Sequence, residues 1–212
     1  MSNSIYADNA ATTKLDKAAF DAMTPWLLEG YGNASQPYAF ARGSKKALAE
    51  SREIIASCIG AAPEEIYFTS GGTESDNWVI KSSAFSDPQK RAMITTAFEH
   101  HAILRSCEAI EFLGYPVAYI FPSNDGYISP AELEQVITEK TRLVSVMYAN
   151  NEIGSLQPIQ RLCEVAHAYG ALFHTDAVQA VGHVEINIHK LGVDFLSASA
   201  HKFNGPKGVG FL

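Results

Sequence analysis

The chain of 212 residues has no run of lysine and arginine, no long apolar stretch and only three cysteines. Lysine plus arginine number 16 against 23 aspartates and glutamates, a net charge of −7. Without a basic cluster to neutralise phosphates, a nucleic-acid partner is not expected. The longest apolar runs are short and broken by polar residues, so no bilayer-spanning helix and no membrane partner are expected. Cys58, Cys107 and Cys163 are odd in number and widely spaced, with no CxxC pair. That argues against a disulfide framework and suits a reducing, cytoplasmic setting. Each stands in a helix-like, mostly apolar context, so all three read as buried structural thiols. The first six residues carry no basic or apolar leader pattern, so no secretory or transit segment is expected.

What is present is a globular composition with a regular alternation. Hydrophobic residues make up 47% and charged residues 18%, enough for one sizeable core. Apolar, β-branched or aromatic runs fall at 65–69, 92–97, 117–121, 143–148, 171–175, 195–199 and 208–212. Helical periodicity fills 73–85, 102–113, 130–137 and 158–169 between most of them, and two more helical stretches, 16–30 and 36–60, come first. Pro25 is expected to kink or break the first. This alternation predicts an α/β fold: a mostly parallel seven-stranded sheet flanked by helices.

In such sheets ligands bind beyond the carboxyl ends of the strands. Five of the runs are followed there by residues capable of chemistry. Ser70-Gly71-Gly72-Thr73 joins a strand to a helix, where close backbone approach and free N–H groups suit an anion such as phosphate. The same residues also fit a plain helix cap, with Thr73 as the cap and Glu74 or Asp76 in the first turn. His100 suits stacking on a ring or proton transfer; the pair His100-His101 lacks further ligands at metal spacing, so no metal is expected. Asn151 and Gln179 are neutral hydrogen bonders. Asp176 ends an apolar strand and needs a partner: a protonated pyridine nitrogen, an arginine or a backbone amide. Lys202 follows Ser199 and His201 at the end of another. Partial burial there favours a neutral, nucleophilic amine, while the plainer alternative is a surface lysine. One ligand meets all of these groups: a phosphorylated pyridine aldehyde that forms an imine with a lysine, pyridoxal 5′-phosphate.

Taken together, the motifs resemble the cysteine desulfurases, in the class V aminotransferase group of fold-type I pyridoxal-phosphate enzymes. The resemblance rests on Tyr6-Ala7-Asp8-Asn9-Ala10-Ala11-Thr12-Thr13, Tyr31-Gly32-Asn33, Thr69-Ser70-Gly71-Gly72-Thr73-Glu74-Ser75-Asp76-Asn77 and Glu99-His100. It continues through Asn150-Asn151-Glu152-Ile153-Gly154, His174-Thr175-Asp176-Ala177-Val178-Gln179 and His201-Lys202-Phe203-Asn204-Gly205-Pro206-Lys207-Gly208. It implies that Lys202 carries the cofactor and later moves protons, and that Asp176 pairs with the ring nitrogen. His100 would stack on the ring, with Gln179 and Asn151 near its hydroxyl. Gly72, Thr73, Ser199 and His201 would hold the phosphate, and Asn33 and Asn151 would border the substrate. The implied reaction takes L-cysteine to alanine and passes sulfur to an enzyme cysteine, then to iron–sulfur or thiolation partners. A homodimer with sulfur-acceptor or scaffold proteins is implied as well.

The family's chains run about as long again. On that resemblance the sequence is expected to be the cofactor domain, residues 16–212, with residues 1–15 belonging to a small domain that is otherwise largely missing. The sulfur-accepting cysteine and the arginine for the substrate carboxylate would lie outside it, leaving the chain inactive alone. Asn33-Ala34-Ser35-Gln36 also departs from the family, where proline commonly follows the asparagine. Two other readings share some of these features: another class V enzyme, such as a selenocysteine lyase or a small amino-acid aminotransferase, and a non-catalytic dimerising fragment. The run Thr73–Asn77 together with Asn150–Gly154 favours the desulfurase.

Overall fold

The structure, a computed structural model, describes residues 4–212. Seven strands form one sheet: β1 (Phe68–Thr69), β2 (Ala92–Thr96), β3 (Val117–Ile120), β4 (Thr141–Ser145), β5 (Leu172–Asp176), β6 (Phe195–Ser199) and β7 (Gly210–Phe211). Their order is β1-β7-β6-β5-β4-β2-β3. The five strands from β3 to β6 are parallel, while β7 runs antiparallel to both β6 and β1. All seven expected runs therefore became strands, and the parallel order places the carboxyl ends of β2, β4, β5 and β6 along one edge.

Alternation along the strands feeds two cores. On β2 and β4, Met93 and Leu143 face α3 (Gly72–Ser86) and α4 (His101–Phe112), packing with Val79, Ile80, Ile103 and Ile110. Their neighbours Ile94 and Val144 face the opposite way. They pack with Phe173 of β5, Leu133 of α5 (Pro130–Val136) and Leu162 and Ala166 of α6 (Ile159–Ala168). Helices on both faces explain why these strands are apolar on both sides. A third cluster joins Ala56 and Ile59 of α2 (Arg42–Ile59) to Leu196, Ala198 and Phe211 beside α7 (Ile188–Leu191), a short helix the periodicity did not announce.

Two expectations need correction. Helix α1 (Lys17–Leu28) runs through Pro25 unbroken. A proline in the last turn removes one hydrogen bond, to the carbonyl four residues back, and the amides of Glu29 and Gly30 both close onto the Pro25 carbonyl at 2.9 Å. Cys58 is exposed, although Cys107 and Cys163 are buried. The buried residues of α2 are Ala56 and Ile59, and position 58 falls off that face.

Candidate active site

The carboxyl ends of β2, β4, β5 and β6 open into a cavity of about 560 Å³. Its lining includes Gly72, Thr73, His100, Asn151, Asp176, Gln179, Ser199, His201 and Lys202, all nine of the expected cofactor contacts. Asn33 is not among the lining residues; it closes a turn in which its Oδ1 accepts from Ser35 N at 3.0 Å.

On one side stands the N-terminus of α3. Its cap residue is Gly71, which has no side chain to cap with, so the helix start keeps its N–H groups and positive dipole end for a ligand. Thr73 is thus inside the helix rather than its cap. Glu74 turns back to accept from Ser70 N at 2.6 Å. A Cβ on Gly72 would lie 2.5 Å from Val178 Cγ2, so any larger residue would have to push the Val178 side chain aside in the loop after β5. Ser199 and His201 face the same end. The His201 Nδ1 lies 3.0 Å from Thr12 Oγ1, and burial, aided by Lys202 and Lys207, depresses its pKa.

His100 caps α4: its Nδ1 accepts from Ala102 N at 3.1 Å. That contact puts the ring proton of the neutral form on Nε2 and fixes the ring against the cavity. Asp176 ends β5 with Oδ1 accepting from Val178 N at 2.9 Å, so a backbone amide is one of its partners. Burial raises its pKa, and His100 and Lys202 pull it back down.

Lys202 sits in the single turn Ala200–Lys202 that follows β6. Its Nζ donates to the carbonyls of Ala10 and Ala11, at 2.5 and 3.0 Å. Desolvation lowers its pKa against the opposing pull of Asp176 and Asp8, which enlarges the neutral-amine fraction at a given pH. Gln179 Nε2 donates to the same Ala10 carbonyl at 2.8 Å. Residues 12–16 are tied to the chain on either side of Lys202: Thr13 N donates to His201 O and Asp16 N to Asn204 O, both at 2.9 Å. Asn204 there adopts a left-handed φ of 65°, a conformation asparagine tolerates best among residues with a side chain.

Beneath the cavity lies a layer of buried titratable groups. Glu99 accepts from Thr96 Oγ1 at 2.6 Å and Met147 N at 2.8 Å, and burial pushes its pKa up to about 8. His174 is flanked by Ser145 Oγ at 2.8 Å and Ser197 Oγ at 2.9 Å, and burial holds it down to about 3. Asp76 completes the layer and also lines the cavity.

Nearly all of the described segment matches the family Aminotransferase class-V, over residues 5–212. The chain belongs to the class-V aminotransferase family. A cysteine desulfurase IscS of Dictyoglomus turgidum is 49% identical over all of this chain and 54% of that protein. One from Methanosarcina thermophila is 48% identical over 98% of this chain and 52% of its own. Among solved structures, SspA in complex with cysteine superposes at a TM-score of 0.95 with 38% identity, over 98% of this chain and 60% of that one. The apo cysteine desulfurase of Thermococcus onnurineus gives 0.88 with 32% identity, over 98% and 52%. The chain spans about half the length of the curated relatives it matches.

The residues of this class-V member meet the demands of pyridoxal 5′-phosphate, the cofactor of the family. An uncapped helix start suits the phosphate, a desolvated lysine suits the aldehyde, and a buried carboxylate at the cavity floor suits the ring nitrogen. Sequence reasoning missed the Ala10 carbonyl and Asp76. The stretches holding both, Tyr6–Thr13 and Thr73–Asn77, stood out as motifs, but Ala10 had no role and Asp76 only that of a first-turn acid in the helix-cap reading. None of the three cysteines lines the cavity.

Proposed function

We propose that the cavity holds pyridoxal 5′-phosphate on Lys202 and that these residues are the cofactor domain of a cysteine desulfurase acting on L-cysteine. The observation that carries this is the meeting of Lys202, Asp176 and an uncapped helix start in one cavity. The relatives' names and the cysteine-bound neighbour support the substrate. When bound, the cofactor supplies an electron-accepting ring that stabilises charge on a substrate carbon.

The chain's own groups then take distinct parts. Lys202, whose Nζ donates to the Ala10 and Ala11 carbonyls, would be the residue that holds the cofactor's aldehyde and the amine placed to carry a proton. Asp176 would hold a positive charge on the ring nitrogen, and His100, fixed as the α4 cap, would pack against the ring and exclude water. Gly72, Thr73, Ser199 and His201 hold the phosphate, while Gln179 and Asn151 take the ring hydroxyl. Asn151 also meets the substrate carboxylate, and Asn33 keeps its assignment to the substrate loop on the family pattern. With Cys107 and Cys163 buried and pushed up to about 12, and Cys58 outside the cavity, the sulfur-accepting thiol belongs to a part of the protein beyond these residues.

Of the segment 1–15, residues 4–15 go with the small domain, residues 1–3 lying outside the described residues, and 16–212 form the cofactor domain. The protein is a homodimer that hands sulfur to acceptor or scaffold proteins in the cytoplasm. Exposed Phe20, Trp26, Leu27 and Leu28 on α1 with Tyr31 and Phe40 offer the apolar surface such a dimer needs. The test is a titration of the purified chain with pyridoxal phosphate. Visible absorbance should develop and be lost in Lys202→Ala, and L-cysteine should perturb the spectrum more than L-alanine does. No absorbance, or equal absorbance in Lys202→Ala, would overturn the proposal.

A further inference from the structure

Next to Asp176 lies a second carboxyl that the proposed chemistry leaves unused. Asp76 of α3 is 1% exposed and lines the cavity, and neither of its oxygens has a hydrogen-bond partner. The one imidazole beside it is His174 on β5, with Nε2 3.7 Å from Asp76 Oδ1. It is no counterion. Its two ring nitrogens are occupied by the hydroxyls of Ser145 and Ser197, and burial keeps it neutral. The other charged groups around Asp76 have its own sign: Asp176 at the end of β5 and Glu99 after β2. Lys202 spends its positive charge on Asp176. The Ser197 hydroxyl lies near enough to favour the ionised form somewhat, but it is engaged by His174 Nε2 at 2.9 Å. A buried carboxylate without a hydrogen bond or a cation, and with two like-charged neighbours, is unfavourable, and the group relieves this by keeping its proton.

We propose that Asp76 is a positioning residue that stays protonated, so that the cavity floor presents one negative charge, on Asp176, to the cationic ring. Two carboxylates there would over-neutralise a single ring nitrogen and repel the phosphate that shares the cavity. A neutral acid fills the space without adding charge. The part about the ring rests on the cofactor reading above; the proton on Asp76 does not.

The experiment has one arm for each. In the absence of cofactor, the folded protein holds a proton on Asp76 that the unfolded chain releases above the ordinary carboxylate range. Folding then binds more protons than unfolding, and wild-type stability falls as pH rises from that range toward the folded pKa. Asp76→Asn has no proton to lose. Its melting temperature should therefore gain on wild type between pH 5 and 8, by about 3–5 °C per pH unit while the difference in protonation persists. Glu99 is present in both proteins, so the comparison subtracts its own burial-driven titration. A difference that stays flat with pH overturns the proposal. If Asp76→Asn does not fold, Asp76→Leu serves, since it too carries no proton. In the second arm, the pH titration of the cofactor's visible absorbance should shift little in Asp76→Asn and clearly in Asp176→Asn. A shift of about one unit or more in Asp76→Asn would show that a negative charge had been removed and would overturn the proposal. If wild type develops no absorbance, the cofactor reading fails, and the melting curves alone decide the state of Asp76.

Discussion

Gly210 on β7 is the position where a single added methyl should disturb both the sheet and the phosphate end of the cavity. A Cβ there would lie 2.4 Å from the Ala198 carbonyl oxygen, 2.6 Å from Gly71 Cα and 3.0 Å from Gly71 C. All three neighbours are backbone, so no side chain can swing aside. Relief to an ordinary contact needs a movement of about 1 Å, either of β7 away from β6 or of Gly71 away from the helix it caps. Overpacking of this kind costs about 1–3 kcal/mol, and the rigidity of the neighbours places it at the upper end. For a chain of this size that lowers the melting temperature by about 4–12 °C. Gly154→Ala is the control: its Cβ meets nothing within 4 Å, and its left-handed φ of 72° costs about 1–2 kcal/mol of local strain without touching the cavity. Scanning calorimetry with and without pyridoxal phosphate separates the two. Gly210→Ala should lose stability and much of its ligand-induced stabilisation, whereas Gly154→Ala should lose stability alone. A Gly210→Ala protein that melts and binds like wild type would refute the steric reasoning.

Three further outcomes follow from the same geometry. Native-state alkylation at neutral pH, read by mass spectrometry, should label Cys58 alone, because Cys107 and Cys163 are buried with thiols pushed up to about 12; unfolding should expose all three. Sulfide release from L-cysteine by the 212-residue chain should be negligible with cofactor added, and Cys58→Ser should leave it unchanged; turnover that depends on any of the three cysteines would contradict the account. Asp176→Asn in a full-length enzyme should impair turnover far more than cofactor retention, since the helix start and its phosphate contacts are untouched while the charge opposite the ring nitrogen is gone.

Much of this site is legible in the sequence because side-chain chemistry marks it. Asp176 and Lys202 stand out where apolar runs stop, and parallel strands carry such ends to one edge. Ala10 was invisible because it contributes a carbonyl oxygen, which every residue has. Asp76 reads as an ordinary acid near the start of a helix, favourable to the dipole and exposed. Only the packing of α3 against β4, β5 and β6 turns it inward beside His174 and Asp176. The same limit explains Cys58. Its neighbours Ile54 to Ile59 are apolar enough to suggest burial, yet the face of α2 that packs is set by partners remote in sequence, Leu196 and Phe211 among them.

The account turns on Lys202, and borohydride reduction of the chain loaded with pyridoxal phosphate, followed by peptide mapping, tests it most directly. The pyridoxyl group should appear on Lys202, whose desolvated amine opens into the cavity beside Asp176. Its appearance on Lys207 or Lys190 instead, or no fixed label at all, would contradict it.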